Sequence, residues 1–175
     1  MLYICPGQTY RRVIAMNNSL LSSVKMDYST PKYFFYKLNQ IFNFNYDLAA
    51  DATNHKCMSY FNPKQDSLKQ DWSKIPGWCW LNPPYGKTIG DWVAKAMSSS
   101  IEGANIVMLI PARTDTTWQH NFVFKASCII FIKGRLKFGD SKNSAPFPSQ
   151  LAIFGQLLDE HIFKLKKLDL GYMIL

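Results

Sequence analysis

The sequence predicts an α/β fold with a mainly parallel sheet, helices on both faces and an antiparallel element near the C-terminus. Apolar runs alternate with segments of helical periodicity over the first two-thirds of the chain, which is typical of βαβ units. The run from Ile106 to Ile110 is apolar without interruption, as expected of an interior parallel strand. In such folds ligands bind at the carboxyl ends of the strands, so the fold class also predicts where a site should lie.

Residues 1–27 show no clear period and are predicted to be an N-terminal arm or leader before a single domain of residues 28–175. The first helix is predicted to start at Thr30 and Pro31, because threonine is a good N-cap and proline a good first-turn residue. Apolar residues then follow the helical period as far as residue 42.

The later elements are predicted from the same two periodicities. In chain order they are a strand at 44–50, a turn-rich stretch at 52–77, a buried strand at 78–81, an amphipathic helix at 89–97, the interior strand at 106–110, strands at 128–132 and 151–154, and a C-terminal helix or strand addition at 156–175.

Composition narrows the class of protein. Lysine and arginine number 20 against 12 acidic residues, and the formal charge of +8 favours a polyanionic partner such as nucleic acid. The four cysteines are scattered without a CxxC pair, so we expect free thiols in a reducing cytoplasm and no metal site. No apolar run approaches about 18 residues, so no membrane span is predicted.

The chain is organised around Asn82-Pro83-Pro84-Tyr85, which follows the strand at 78–81. Two successive prolines lack N–H donors, so the backbone must leave the sheet at Asn82. The turn offers the Asn82 side-chain oxygen and a proline carbonyl as neighbouring acceptors, with the Tyr85 ring close behind. This arrangement suits a planar substrate with an exposed NH2 group. The alternative is an ordinary Asn-Pro turn whose tyrosine fills the core.

Three polar segments lie at the ends of predicted strands, at residues 47–51, 82–85 and 111–116. Because parallel strands end at the same edge of a sheet, we expect these segments to share one rim. Their convergence favours a functional interpretation of the central motif.

The central motif resembles the signature of amino-methyltransferases, and its surroundings resemble the phage-type DNA N6-adenine methyltransferases, the Dam-like family. The resemblance covers roughly residues 27–155, and it rests on six further blocks in order: Ser29-Thr30-Pro31, Asp47-Leu48-Ala49-Ala50-Asp51, Asp71-Trp72, Pro111-Ala112-Arg113-Thr114-Asp115-Thr116, Gly134-Arg135-Leu136-Lys137-Phe138 and Ser144-Ala145-Pro146-Phe147-Pro148-Ser149. The F-x-G-x-G loop of many related enzymes is absent, and the block at 47–51 stands in its place.

The resemblance implies a Rossmann-like enzyme that uses S-adenosylmethionine (AdoMet) to methylate the N6 amine of a flipped adenine in double-stranded DNA. It also implies a phage or prophage origin, action in the host cytoplasm and a role in shielding DNA from restriction. The same motif serves RNA bases and protein glutamine in other enzymes, so those substrates stay open, as does a catalytically idle DNA-binding module. The recognition sequence and the oligomeric state are not predicted.

The resemblance also implies roles for individual residues. In the motif at 82–85, Asn82 and the Pro83 carbonyl would bind the amine hydrogens, and Tyr85 would stack on the base. Thr30 and Pro31 would open a helix whose N-terminus holds the AdoMet carboxylate, although Thr30 also suits a plain N-cap. The segment 47–51 would bind the AdoMet amino group or ribose hydroxyls through its carboxylates, or simply form a turn. Its members with this predicted role are Asp47, Ala49 and Asp51.

The predicted DNA contacts carry alternatives as well. Arg113 would bind a phosphate or pair with Asp115, and Thr114 lies between them. Arg135, Lys137 and Lys142 would contact phosphates or be ordinary surface charge. The second face of the base would be covered by Phe147, with Phe138 as the competing candidate. Asp66 and Asp71 are weaker candidates for cofactor binding, since both also suit turns.

Overall fold

A computed structural model of the protein describes residues 28–139, 141 and 143–175. This part of the chain forms a seven-stranded sheet with four α-helices. The strands are β1 (Tyr46–Asp47), β2 (Ser59–Tyr60), β3 (Trp78–Leu81), β4 (Asn105–Pro111), β5 (Cys128–Ile132), β6 (Ser149–Phe154) and β7 (Gly171–Ile174). The helices are α1 (Lys32–Phe42), α2 (Ile89–Ile101), α3 (Thr117–Asn121) and α4 (Asp159–Lys167). The predicted arm at residues 1–27 lies outside the described residues, and so does Lys142, one of the predicted phosphate contacts.

The strand order is β2-β1-β3-β4-β6-β5-β7, and the first four strands of this order are parallel. Although β1 is short, the chain around it stays extended, because the amides of Asn45 and Leu48 donate to the Trp78 and Trp80 carbonyls, both at 2.9 Å. As a result β1, β3 and β4 end side by side at one edge of the sheet. The prediction that their polar ends share a rim is confirmed.

The second half of the sheet is antiparallel. Strand β6 runs against both of its neighbours, β4 and β5, and β7 runs against β5. The prediction of an α/β fold with an antiparallel element is confirmed, but the sheet is less parallel than predicted, with three parallel and three antiparallel pairings. The reason is that β6 inserts between β4 and β5 and runs against both, and β7 adds a third antiparallel pairing at the edge. Helix α4 and strand β7 also show that both alternatives predicted for 156–175 are present.

Aromatic rings fill the layer between the sheet and helices α1 and α4. Trp78 contacts Phe42 of α1 and His161 of α4, and Trp80 contacts Phe35 of α1. The alternate strand residue Cys79 points to the other face and is also fully buried. Helix α2 belongs to a second helical group, in which it contacts α3, β4 and β6. The four helices and the seven-stranded sheet confirm a mixed α/β fold, and helices on both faces stay a prediction.

Three further differences from the prediction have local causes. Helix α1 starts at Lys32, with Pro31 in the N-cap position, because Pro31 has extended backbone angles of φ −59° and ψ 132°. The turn-rich stretch 52–77 contains the two-residue strand β2, which is too short to show a period. Helix α3 spans five residues and is also too short for one.

The three cysteines in the described ranges, Cys57, Cys79 and Cys128, are free and buried. Within those ranges, no helix is long and apolar enough to cross a membrane. No group of three His, Cys, Asp or Glu side chains in them could hold a metal ion.

Candidate active site

The central motif leaves the sheet at the end of β3, where two compartments meet. Asn82 is half-buried, and its side chain is fixed from both ends. Its Nδ2 donates to the Tyr28 carbonyl at 2.6 Å, and its Oδ1 accepts from the Tyr85 hydroxyl at 2.8 Å. The carboxamide therefore has a defined orientation before any ligand arrives.

Tyr85 is almost fully buried, with 3% of its surface exposed. Its hydroxyl donates to Asn82 and also lies 3.2 Å from the Leu109 carbonyl of β4, which ties the motif to the neighbouring strand. Burial raises the pKa of Tyr85 well above its ordinary value, and the adjacent Tyr28 raises it further. Tyr85 thus acts as a neutral ring and not as a proton base.

Four aromatic rings form one compartment, which we call the aromatic cluster: Tyr28, Tyr85, Phe138 and Phe147. Tyr28 stacks on Tyr85 with centroids 5.4 Å apart and planes at 27°. Phe147 meets Tyr28 and Tyr85 edge-on at 5.0 and 5.7 Å, and Phe138 meets them edge-on at 5.3 and 6.0 Å. The two phenylalanines that competed for one predicted role lie together. Tyr28 was not predicted, and its contact with a residue so distant in sequence leaves no periodic signal.

The other compartment is a cleft of about 240 Å³, which we call the open cleft. Phe61, Pro63, Pro84 and Trp92 supply apolar walls, and the polar lining includes Asp51, Asn54, Asn62, Asp66 and Asn82. Phe61, Asn62, Pro63 and Trp92 were not predicted as site residues. Asp71 is absent from the lining and instead caps the 3₁₀ helix at Trp72–Lys74.

A small cavity of about 10 Å³, roughly the room of one water molecule, adjoins the open cleft and shares Ala49, Asn54 and Asn82 with it. Thr30 and Asp47 also line this cavity. The two predicted cofactor residues thus come together beside the central motif.

Thr30 does not cap the helix. Because Pro31 occupies the N-cap position, its carbonyl accepts from the amides of Phe34 and Phe35 at 3.0 and 3.1 Å, and no side-chain cap is formed. The Thr30 side chain is buried, and its hydroxyl finds no hydrogen-bond partner among the described residues. The plain N-cap interpretation of Thr30 is therefore wrong. A buried hydroxyl without a partner costs about 1–3 kcal/mol, so a polar group that entered the cavity beside Thr30 would be stabilised by it.

Asp47 is a buried carboxylate with 2% of its surface exposed. Burial raises its pKa from 3.8 to about 6, against the opposing effect of amide donors from Lys56 at 2.9 Å and Ala49 at 3.3 Å. The Lys56 ammonium donates to the Asn54 carbonyl at 2.7 Å on the same side of the cavity. A cationic group in this cavity would stabilise the ionised form of Asp47.

Asp51 has a different environment although it lies at the end of the same segment. Its Oδ1 accepts from the amide and hydroxyl of Thr53 and from the Asn54 amide, at 2.6 to 3.0 Å. These bonds, led by that of the Thr53 hydroxyl, lower the pKa of Asp51. It therefore forms the predicted turn and also lines the open cleft.

The loop after β4 lies on the same rim. Arg113, Thr114 and Asp115 are exposed, and no ion pair joins Arg113 to Asp115 in the described part of the chain. The Arg113 carbonyl instead accepts from the Thr116 hydroxyl at 2.8 Å. The pairing alternative for Arg113 is therefore wrong, and its guanidinium faces solvent.

Arg135 and Lys137 differ in their contacts. Arg135 donates to the carbonyls of Pro146 at 2.9 Å and Ala145 at 3.4 Å, next to Phe147. Lys137 is exposed. Arg135 thus holds the loop that carries one ring of the aromatic cluster, a role that its sequence context did not indicate.

Comparisons with known proteins identify the family of the chain. The sequence matches the family described as DNA N-6-adenine-methyltransferase (Dam) over residues 17–161. A DNA N-6-adenine-methyltransferase of Haemophilus phage HP1 (strain HP1c1) is 30% identical over 136 residues, which cover 73% of this chain and 77% of that protein. The matched range contains both compartments of the candidate site.

Proposed function

The chain belongs to the DNA N-6-adenine-methyltransferase (Dam) family, and on that premise we propose that it transfers a methyl group from AdoMet to the N6 amine of adenine in DNA. The observation that carries the proposal is the position of Asn82. Its side chain lines the open cleft and the small cavity, and it hydrogen-bonds to both stacked tyrosines of the aromatic cluster. A cofactor on one side and a base on the other would meet at this carboxamide. The parallel strands ending beneath it support a Rossmann-like fold.

The residues that line the small cavity have the chemistry to bind the charged end of AdoMet, although this one-water space beside the open cleft would have to widen to admit it. The Thr30 hydroxyl, unpaired in the described chain, and the start of helix α1 would bind the carboxylate. Asp47 would bind the amino group, since burial keeps the pKa of this carboxyl raised and the Lys56 charge in the same cavity lowers it only in part. The open cleft would hold the adenosine part, with Asp51 near the ribose and apolar walls from Phe61 and Trp92. When bound there, AdoMet supplies an electrophilic methyl group.

The chain's own residues then prepare the amine. The lone pair of the adenine amine is delocalised into the ring, which makes it a poor nucleophile. Asn82 Oδ1 and the Pro83 carbonyl would accept its two hydrogens and favour a more tetrahedral nitrogen, with the lone pair directed at the methyl group. An amide oxygen has two lone pairs, so Asn82 can accept from the substrate and from Tyr85 together. The released proton leaves to water, because neither Asn82 nor neutral Tyr85 is a base.

The base would have to leave the duplex to reach this position, which costs a few kcal/mol. Stacking on one aromatic ring returns about 1–3 kcal/mol. The aromatic cluster supplies the rings, and the net charge of +8, with Arg113 and Lys137 exposed, supports attraction to phosphates.

The test is methylation of unmodified duplex DNA by purified protein with AdoMet, measured by nucleoside mass spectrometry. Wild type should produce N6-methyladenine, and Asn82→Ala should lower the rate by about 100-fold or more, the effect of removing one preorganised polar group. Asn121→Ala is the matched control, because Asn121 is exposed at the end of α3. AdoMet binding without any methyladenine would contradict DNA as the substrate and direct the assay to RNA and protein glutamine.

A further inference from the structure

The ring of Tyr28 lies where the proposed function requires the target base. It stacks on Tyr85 at a centroid distance of 5.4 Å, and Phe138 and Phe147 meet it edge-on. Tyr85 is only 3% exposed in this arrangement. A base therefore cannot stack on Tyr85 until a ring that covers it moves.

The available space excludes a simple sandwich of the base between the two tyrosines. Stacked aromatic atoms approach to about 3.5 Å, so an inserted base needs its two neighbours roughly 7 Å apart. The rings are 5.4 Å apart, and Phe138 and Phe147 pack within 5.3 Å of Tyr28. The Tyr28 ring therefore has to rotate out of the aromatic cluster, because a small displacement within the cluster would not make room for a base.

The backbone around Tyr28 permits this motion without disturbing the catalytic turn. The Tyr28 carbonyl accepts from Asn82 Nδ2, and the next carbonyl, of Ser29, accepts from the Gly139 amide at 2.8 Å. These bonds hold the main chain in place. The side chain itself is half-buried, so part of the ring already contacts solvent, and a rotamer change would move the ring while the backbone stays in place.

We propose that Tyr28 closes the base slot in the DNA-free enzyme, and that the target adenine must displace its ring to stack on Tyr85. The inference rests on the proposed function, since it concerns the same slot. The Tyr28 carbonyl stays hydrogen-bonded to Asn82 throughout and keeps the carboxamide oriented. The ring competes with the base, so adenine enters only when its contacts exceed those of Tyr28.

The experiment compares two duplexes that share a mapped methylation site, one with the target adenine and one with an abasic site in its place. Dissociation constants are measured with S-adenosylhomocysteine present, and the ratio of the abasic to the adenine value reports the contribution of the base. Tyr28→Ala should raise this ratio by about threefold to tenfold, because a stacked aromatic pair no longer competes. The whole change should appear with the adenine duplex.

A second variant should change the ratio of dissociation constants in the opposite direction, and it keeps an aromatic ring at position 28. Tyr28→Trp provides a larger ring to displace and should lower the ratio. Tyr36→Ala is the matched control, since Tyr36 is an exposed tyrosine on α1. AdoMet affinity and melting temperature show whether each variant is folded.

The outcomes are distinct. A lowered ratio with Tyr28→Ala and a raised one with Tyr28→Trp would show that the ring stacks on the bound base, and an unchanged ratio would show that it takes no part. Either result overturns the role of Tyr28 alone, provided that the wild type makes N6-methyladenine. Absence of N6-methyladenine with wild-type protein would overturn both proposals.

Discussion

The open cleft and the aromatic cluster share Asn82 but differ in how ready each is for its ligand. The cofactor side has open space, an unpaired Thr30 hydroxyl in the described chain and a buried Asp47 carboxylate. On the other side, the rings of the aromatic cluster pack against one another and bury Tyr85. A buried hydroxyl without a partner and a buried carboxylate with a raised pKa both favour a polar ligand, whereas packed rings oppose the entry of a base. Under the proposed function, this difference predicts that AdoMet binds without DNA, whereas a base binds only after the aromatic cluster rearranges.

Replacing the buried carboxylate should disable the cofactor side alone. We expect Asp47→Asn to weaken AdoMet binding by about 100-fold, since truncating one member of a buried charge pair costs about 2–5 kcal/mol. The unfolding free energy of the ligand-free protein at pH 7.5 should change by less than about 1 kcal/mol, because the substitution also removes a charge that burial disfavours. Isothermal titration calorimetry and thermal unfolding measure the two effects.

The matched control for this substitution is Asp159→Asn, which alters an exposed carboxylate at the start of α4. It should leave AdoMet affinity unchanged. Equal affinities for wild type and Asp47→Asn would remove Asp47 from the cofactor site.

The same carboxylate should make cofactor binding depend on pH. With a pKa of about 6 in the ligand-free protein, Asp47 is mostly protonated at pH 5 and mostly ionised at pH 7. AdoMet binding should therefore strengthen by about tenfold between pH 5 and 7, as binding below pH 6 must release a proton. Asp47→Asn should abolish the dependence, and His55→Gln, which removes a neighbouring imidazole, should keep it.

Ionisation of Asp47 should strengthen AdoMet binding but lower the unfolding free energy of the ligand-free protein. The folded pKa of Asp47 lies above the unfolded value of 3.8, so ionisation is easier in the unfolded chain. The contribution of Asp47 to unfolding free energy is largest below pH 4 and falls as pH rises to about 6. The aromatic cluster should show no such dependence, since the raised pKa of Tyr85 keeps it neutral throughout. A wild-type AdoMet affinity that does not vary from pH 5 to 7 would contradict the pairing.

Thr30 allows a smaller test of the cofactor side. Thr30→Val keeps the side-chain shape and removes the buried hydroxyl that lacks a partner among the described residues. Ligand-free stability should rise by about 1 kcal/mol, while AdoMet affinity should fall by about threefold to tenfold, the effect of one hydrogen bond. Ser149→Ala removes another such hydroxyl outside both cavities and should stabilise the protein without changing AdoMet affinity. Weaker ligand-free stability for Thr30→Val would show that the hydroxyl has a partner after all.

Thr30 also shows where prediction from sequence ends. The sequence places a hydroxyl beside Pro31 at a helix start, but the backbone angles of Pro31 decide whether it caps the helix or faces a cavity. The turn at 82–85 was predictable because two prolines force the chain out of the sheet by local sterics. The stack of Tyr28 on Tyr85 was not, since it depends on how distant segments pack.

The contacts of Arg135 with the loop at 145–146 were likewise not predictable from sequence. Its replacement should give the smallest of the expected effects, and the measurement distinguishes support of the aromatic cluster from phosphate binding. Because its guanidinium donates to the carbonyls of Ala145 and Pro146, Arg135→Ala should loosen Phe147 and raise KM for DNA about threefold. The slope of log affinity against log salt should stay unchanged. Lys137→Ala, at an exposed neighbour, should instead reduce that slope by about 1 if it binds a phosphate. A reduced slope for Arg135→Ala would place its guanidinium on the DNA backbone. Packing alone would then hold the loop that carries Phe147.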